Sequence, residues 1–183
     1  MKPLKKWEIL KSEIVFDHRW YKVRRDTIAL PAGHIVDDYF LSVRPDVALV
    51  FPVTSQEEIV FVRQYRHGAG EILLELPAGT FNPNEESAEA AAVRELVEET
   101  GYTCENLVKL ATLYDNPVKE TNRIHLFIAR DVYQTANQKL DTTEEIEVVL
   151  ISAAAVTNQI LQGKISVSGT IAAIFLGLNF LKQ

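Results

Sequence analysis

Three glutamates at helical spacing constrain this chain more than any other feature of its sequence. Glu95, Glu98 and Glu99 stand at positions i, i+3 and i+4 within Glu85–Thr100, a stretch rich in good helix formers that we predict to be a helix. The three carboxylates then project from one face, where their like charges repel. A hard divalent cation would offset that repulsion, because Mg²⁺ favours carboxylate oxygens as ligands. We expect the neighbouring Arg94 to hold a carboxylate that is not bound to metal.

The wider pattern around these glutamates is more specific than the glutamates alone, which by themselves would indicate a solvated acidic face. After Gly79 comes Glu86, and seven residues separate Glu86 from Arg94. The pattern then continues as Arg-Glu, an aliphatic residue, any residue, Glu-Glu, any residue, Gly101 and the apolar Tyr102. Such a combination rarely arises by chance, so we interpret the segment as a metal-binding helix and not as a solvated acidic face.

Hydrophobic patterning predicts one α+β domain with an N-terminal antiparallel β arm. We assign residues 1–43 to the arm and 44–183 to the main domain. The predicted strands are Trp7–Val15, Trp20–Leu30, Ile35–Arg44, Val47–Val53, Glu58–Tyr65, Leu107–Tyr114, Arg123–Ala129 and Ile146–Ile151. The predicted helices are Glu85–Thr100, Ala153–Gln162 and Gly169–Leu181. Asn84 or Ser87 is expected to cap the first helix and Gly101 to end it.

Together, Leu76-Pro77-Ala78-Gly79 and the segment from Arg94 to Tyr102 resemble the Nudix signature. The resemblance implies an α/β/α sandwich whose glutamate helix binds Mg²⁺, with Mn²⁺ as an alternative. It further implies a metal site formed by Glu95, Glu98, Glu99 and the backbone carbonyl of Ala78. The family usually has one residue fewer between Gly79 and Glu86, and we place the additional residue in a loop that spans residues 80–85.

Motifs outside the signature resemble the branch that cleaves ADP-ribose and nucleoside diphosphate sugars. They are Arg63-Gln64-Tyr65-Arg66, Leu74-Glu75-Leu76, Pro117, Arg123–Ala129 and the closing Gly163-Lys164-Ile165 with Thr170-Ile171-Ala172. The resemblance implies hydrolysis of the substrate's pyrophosphate bond to a nucleoside monophosphate and a sugar phosphate. It also implies a homodimer in which the arm crosses to the partner and helps to build the base pocket. The stretch after Pro117 lacks the glycine that is common in this branch. This departure leaves room for nucleotide sugars other than ADP-ribose, such as GDP-mannose.

The resemblance assigns roles to residues beyond the helix. Candidates for the general base are Glu98, Glu144 and Glu145, the last two in an acidic loop for which simple solubility is the alternative. Arg66 is expected to grip a phosphate, although a surface ion pair would also explain it, and Glu75 to contact metal or sugar. Trp20 and Tyr21, with Tyr39 and Phe40, are candidates to stack on the base, and core packing is the alternative for each.

Composition, charge and hydropathy argue against several classes of protein. The 183 residues carry a net charge of −6, which argues against a general nucleic-acid binder. The single cysteine, Cys104, fits a cytoplasmic setting. The apolar stretch Thr170–Leu181 is too short to span a bilayer, so we expect no membrane association. Two alternatives remain: a Nudix hydrolase of dinucleoside polyphosphates or nucleoside triphosphates, and a non-catalytic nucleotide sensor. The intact Arg94 and glutamates argue against the sensor.

Overall fold

The computed structural model describes residues 3–183, and these divide into two compact units. The first unit comprises the chain up to Pro45 together with Tyr114–Asn122. The second comprises Asp46–Leu113 and Arg123–Gln183. No helix within residues 3–183 is long and apolar enough to cross a membrane.

An antiparallel three-stranded sheet forms the first unit. Its strands, in the order in which they pair, are β1 (Glu8–His18), β2 (Tyr21–Ala29) and β3 (Ile35–Val43). The turn between β2 and β3 contains Gly33 at φ +88°, whose N–H donates to the Leu30 carbonyl at 2.8 Å. Leu30–Gly33 repeats the residues Leu76–Gly79, but the first copy forms a hairpin turn.

The segment that contains Pro117 joins β3 of the first unit through backbone and side-chain bonds. The Ser42 N–H donates to the Lys119 carbonyl at 2.7 Å, and the Thr121 N–H donates to the Ser42 carbonyl at 3.2 Å. The Tyr39 hydroxyl donates to the Val118 carbonyl at 3.0 Å. The first unit is therefore built from two separate stretches of sequence.

A mixed seven-stranded sheet forms the centre of the second unit. The strands β4 and β10 pair in parallel, and the other pairs are antiparallel. The central order is β12-β5-β4-β10-β9, while β6 pairs with β5 and β7 with β4. The bounds are β4 (Asp46–Val53), β5 (Glu58–Arg66), β6 (Glu71–Glu75), β7 (Ala78–Phe81), β8 (Tyr102–Thr103), β9 (Asn106–Leu113), β10 (Ile124–Arg130), β11 (Tyr133–Gln134) and β12 (Ile146–Ser152). The short strands β8 and β11 pair separately.

Helices cover both faces of this sheet and bury two cores. Helix α1 (Ala88–Thr100) covers one face, and α2 (Ala153–Leu161) and α3 (Ser168–Phe180) cover the other. Alternate residues of β4 point to opposite faces. Accordingly Val50 packs in the core beneath α1, while Phe51 packs with Ile174 of α3 in the other core. The predicted α/β/α sandwich with an antiparallel N-terminal sheet is confirmed.

Two sequence-based boundaries next to the glutamate helix are wrong. Residues 80 and 81 are expected in a loop, but they belong to β7, where Thr80 pairs with Val47. Helix α1 begins at Ala88 rather than Glu85, because the Ser87 side chain caps it by accepting from the Ala90 N–H at 3.1 Å. The preceding residues form a turn in which Asn82 accepts from the Glu85 and Glu86 N–H groups.

Candidate active site

Helix α1 is fixed at both ends and along its buried face, which determines where its glutamates lie. Gly101 ends the helix at φ +76°, and its N–H donates to the Val97 carbonyl. Ala91, Ala92 and Leu96 are fully buried in the core beneath α1. The glutamates at positions 95, 98 and 99 therefore sit on a helix that cannot rotate without exposing its apolar face.

Glu99 is the most buried of the three glutamates, with 4% of its surface exposed. Its Oε2 accepts a hydrogen bond of 3.0 Å from the N–H of Ala78, the first residue of β7. Burial raises the pKa of Glu99 to about 8; the Ala78 N–H opposes the shift, the charges of Glu95 and Glu144 reinforce it, and Arg66 opposes it. A buried carboxylate of this kind favours a nearby positive charge.

The Glu95 carboxylate lies directly against the backbone of Gly79. A Cβ at residue 79 would be 1.9 Å from the Cδ and Oε1 atoms of Glu95, so any side chain there would have to displace the carboxylate. Burial raises the pKa of Glu95, hydrogen bonding and the charge of Arg94 lower it, and the charges of Glu98 and Glu144 raise it further. Glycine at 79 is thus explained by the space that the carboxylate occupies.

Arg94 connects the helix glutamates to Glu86. Its Nη2 and Nε contact the two oxygens of the Glu86 carboxylate at 2.8 and 3.3 Å. Its Nη1 donates to Glu95 Oε1 at 2.7 Å and to Glu98 Oε2 at 3.1 Å. The Glu86 carboxylate is the largest contributor to a raised Arg94 pKa. The extra residue before Glu86 therefore leaves this bidentate pair intact.

Arg66 and Glu75 form an ion pair on neighbouring strands. The Arg66 Nε donates to Glu75 Oε2 at 2.6 Å. Glu75 is buried, whereas 45% of the Arg66 side chain is exposed. Because Arg66 also lowers the pKa of Glu99 through its charge, the pair lies within electrostatic range of the carboxylate helix.

The acidic loop before β12 carries two glutamates, and one of them interacts electrostatically with the carboxylates of the helix. The charge of Glu144 raises the pKa of both Glu95 and Glu99. The Glu144 Oε2 accepts from the Asp141 N–H at 2.9 Å within the loop. Glu145 is exposed and does not enter the causes of either shift.

The four aromatic candidates all belong to the first unit. Trp20 and Tyr21 lie at the tip of the β1–β2 hairpin and are 73% and 52% exposed. Tyr39 meets Trp7 edge-on, with ring centroids 5.9 Å apart. Phe40 is 43% exposed. Core packing therefore does not account for Trp20, Tyr21 or Phe40.

The carboxylates suit a hard divalent cation by their chemistry. No group of His, Cys, Asp or Glu side chains within residues 3–183 is gathered closely enough to hold an ion as it stands. Arg94 contacts Glu95 and Glu98, while Glu99 bonds to Ala78. The donors are nonetheless oxygens on one helix face, next to a glycine that leaves room for them.

Two further residues near this site carried no sequence signal that singled them out. Gln64 on β5 is buried, and its Nε2 has no hydrogen-bond partner within residues 3–183. It lies two residues before Arg66, so both side chains point to the same face of β5. Thr170 is buried and its hydroxyl accepts from the Leu76 N–H at 3.3 Å. Both residues stand inside motifs of the family resemblance, but neither motif by itself assigns a role to Gln64 or Thr170.

An α/β/α sandwich that places a carboxylate-rich helix against a glycine-containing strand suits the class of enzymes that work with divalent cations. The Nudix domain model matches residues 43–167. The model of the nucleoside diphosphate sugar hydrolase N-terminal domain matches residues 7–42. The chain therefore belongs to the Nudix family, and the predicted family and enzyme class are confirmed.

Relatives and a solved structure agree with this assignment. The chain is 31% identical over 153 residues to the ADP-ribose pyrophosphatase of Bacillus subtilis (strain 168), covering 83% of this chain and 81% of the relative. It is 30% identical over 166 residues to the methanol dehydrogenase activator of Bacillus methanolicus, and the match covers 90% of this chain and 89% of that relative. The crystal structure of an ADP compounds hydrolase superposes with a TM-score of 0.87 at 25% identity, covering 100% of this chain and 97% of the other.

Proposed function

We propose that this chain hydrolyses the pyrophosphate bond of a nucleoside diphosphate sugar, such as ADP-ribose or GDP-mannose. The carboxylate helix against Gly79 is the observation that carries the proposal. The N-terminal match to a nucleoside diphosphate sugar hydrolase domain, and the similarity to a relative named ADP-ribose pyrophosphatase, support the substrate class. Water attacks one phosphorus, the bridging P–O bond breaks, and a nucleoside monophosphate and a sugar phosphate leave.

The metal would be held by Glu95, Glu98, Glu99 and the Ala78 carbonyl, with Mg²⁺ as the first choice and Mn²⁺ as the second. A bound divalent cation neutralises pyrophosphate charge and makes water more acidic. The Arg94 guanidinium keeps Glu95 and Glu98 in place through its bonds to both. Glu86 in turn fixes Arg94, so the four side chains act as one preorganised group.

For the general base we favour Glu144 over Glu145 and Glu98. The influence of Glu144 on the pKa of Glu95 and Glu99 supports this choice, because a base must work beside the metal-binding carboxylates. Glu98 accepts from Arg94, which occupies one of its oxygens. In this scheme Glu144 takes the proton of the attacking water and later releases it to solvent.

For the substrate we assign phosphate binding to Arg66 and a contact with metal or sugar to Glu75. A guanidinium matches phosphate geometry through several N–H groups, and the exposed part of Arg66 is free to use them. Trp20 and Tyr21 are assigned to base stacking. We further propose a homodimer that residues 1–43 help to form, with the exposed aromatic and aliphatic side chains of the arm as its contact surface, and a cytoplasmic location.

Product analysis tests the proposed function. Purified protein with Mg²⁺ is incubated with ADP-ribose, GDP-mannose, UDP-glucose, diadenosine polyphosphates and nucleoside triphosphates, beside Glu98→Gln and Glu99→Gln. Monophosphate and sugar phosphate from the sugar nucleotides, lost in both variants, is the expected result. If the protein prefers the polyphosphates or the triphosphates, the proposed substrate class is wrong. If it binds metal but hydrolyses none of these compounds, the protein is a nucleotide sensor and not an enzyme.

A further inference from the structure

We propose that Gln138 is a positioning residue that holds Glu144 at a fixed place relative to the carboxylate helix. The inference rests on the proposed function, because it acts through the proposed base. It concerns the loop of residues 139–145, called here the base loop, which leads from Gln138 to the first residue of β12, Ile146.

The Gln138 side chain ties three elements together with one amide group. Its Nε2 donates to the Glu99 carbonyl at 2.6 Å and to the Ile146 carbonyl at 3.1 Å. Both partners are carbonyl oxygens, so only the nitrogen of the amide can face them. Gln138 precedes the base loop and Ile146 follows it, so the bonds close the loop at its stem and attach that stem to the last turn of α1.

Backbone bonds reinforce the same attachment. The final carbonyls of a helix have no partner within the helix. Here the Glu98 carbonyl accepts from the Lys139 N–H at 2.8 Å. The Gly101 carbonyl accepts from the Thr135 N–H at 2.9 Å. The segment before the base loop therefore caps the carboxylate helix, and among the hydrogen bonds of residues 3–183 those of the Gln138 side chain extend that cap to the far stem at Ile146.

This attachment matters because Glu144 is exposed and lies in the base loop, two residues before Ile146. Its Oε2 accepts from the Asp141 N–H at 2.9 Å and its own N–H donates to the Asp141 carbonyl at 3.0 Å, so these hydrogen bonds stay within the base loop. Without the bridge, the base loop keeps its N-terminal backbone anchor but loses the link between its two stems. The position of the Glu144 carboxylate then becomes less defined, and the proton transfer loses its geometry.

Gln138→Leu tests the bridge because it keeps the size of the side chain and removes both donors. We expect kcat to fall by about 10- to 100-fold, as for other small misplacements of a reacting group, with the substrate KM changed less than about twofold. Asn137→Ala is the matched control, because the Asn137 side chain has no hydrogen bond within residues 3–183, and it should keep wild-type kcat. Gln138→Lys restores N–H donors next to the helix C-terminus and should recover most of kcat.

A double-mutant cycle separates positioning from a general structural role. If Gln138 acts through Glu144, Gln138→Leu adds no further loss of kcat in a Glu144→Gln background. Equal losses in both backgrounds, or wild-type kcat in Gln138→Leu, would overturn the inference. Wild-type kcat in Glu144→Gln alone would also overturn it, while leaving hydrolysis of sugar nucleotides by the unaltered protein intact.

Amide hydrogen exchange gives a readout that does not need turnover. Gln138→Leu should speed amide exchange in residues 139–145 and leave amide exchange unchanged in the part of α1 that precedes its last turn. Unchanged exchange in the base loop would refute the bridge even in a protein that hydrolyses sugar nucleotides. A protein with a loosened base loop but no activity on any substrate would instead locate the failure in the proposed function.

Discussion

The Glu95 carboxylate occupies the space that a side chain at Gly79 would fill, with Cδ only 1.9 Å from the position of a Cβ. A strand residue and a helix residue thereby set each other's place in the candidate active site. The conformation of Gly79 is not the reason for the glycine, because its φ is not in the left-handed region. The reason is close approach by an acidic group.

Gly79→Ala should therefore abolish most activity while the protein still folds. The methyl group must push the Glu95 carboxylate away from β7, and misplacing a proposed metal ligand typically costs about 100-fold in rate. Steady-state kinetics and Mg²⁺ titration measure the loss. Gly68→Ala is the matched control, because nothing lies within 4 Å of a Cβ there. Full activity in Gly79→Ala would show that Glu95 can move without consequence.

Replacing Arg94 with lysine should weaken metal binding, even though the charge is kept. Lysine cannot contact both oxygens of Glu86 while also bonding to Glu95 and Glu98. Loss of a group that orients metal ligands typically costs about 10- to 100-fold in metal affinity. Isothermal titration with Mn²⁺ measures this change.

Combining Glu86→Gln with Arg94→Lys tests whether Glu86 acts on metal binding through Arg94. If Glu86 acts by holding Arg94, the double variant binds metal no more weakly than Arg94→Lys alone. Independent, additive losses would instead mean that Glu86 contacts the metal or the substrate itself.

Much of the site was predictable from sequence because a helix converts spacing directly into geometry. The i, i+3, i+4 pattern alone places Glu95, Glu98 and Glu99 on one face of the helix. Runs rich in Val, Ile and Phe between turn signals likewise predict five of the seven strands of the central sheet, namely β4, β5, β9, β10 and β12. Both inferences use only local features of the sequence.

Contacts between distant parts of the chain were not predictable in this way. The Gln138 side chain bonds to carbonyls of Glu99 and Ile146, and no local pattern marks an exposed amide for that task. The segment around Pro117 joins β3 of the first unit, although its neighbours in sequence belong to the second. Strand β7 was missed because its four residues are too few to show an alternating pattern.

Asp46 should stabilise the fold in a manner that depends on pH. It accepts from the Arg123 N–H at 2.9 Å and contacts His125 Nε2 at 3.0 Å. Burial would raise its pKa, but these bonds outweigh burial and lower it below the ordinary value of 3.8. A lowered carboxyl pKa gives stability that is present above pH 3.8 and is lost as the pH falls through the folded value.

Asp46→Asn should accordingly cost about 1.5–3 kcal/mol of unfolding free energy near pH 7, the usual range for hydrogen bonds to a charged group. The difference from wild type should shrink as the pH falls below about 4. Urea unfolding at several pH values between 3 and 7 measures it. Asp37→Asn, at an exposed carboxyl on β3, should show no such trend. A difference that stays constant down to pH 3 would attribute the loss to packing.

Gly101 should tolerate alanine poorly for two separable reasons. Its φ of +76° costs an alanine about 1–2 kcal/mol. In addition, a Cβ at residue 101 would be 2.2 Å from the Ala136 carbonyl oxygen, just before the base loop. Gly163 offers a control with φ +73° and nothing within 4 Å of a Cβ. Gly163→Ala should therefore show the conformational cost alone.

The difference between the two variants isolates the contact with Ala136. We expect Gly101→Ala to lower the free energy of unfolding more than Gly163→Ala, and to lower kcat because the segment that caps α1 must shift. Gly163→Ala should leave kcat unchanged. Denaturant unfolding and steady-state kinetics on the same samples measure both effects. Equal stability losses with equal kcat would mean that the capping segment moves aside freely, and that its position does not matter for turnover.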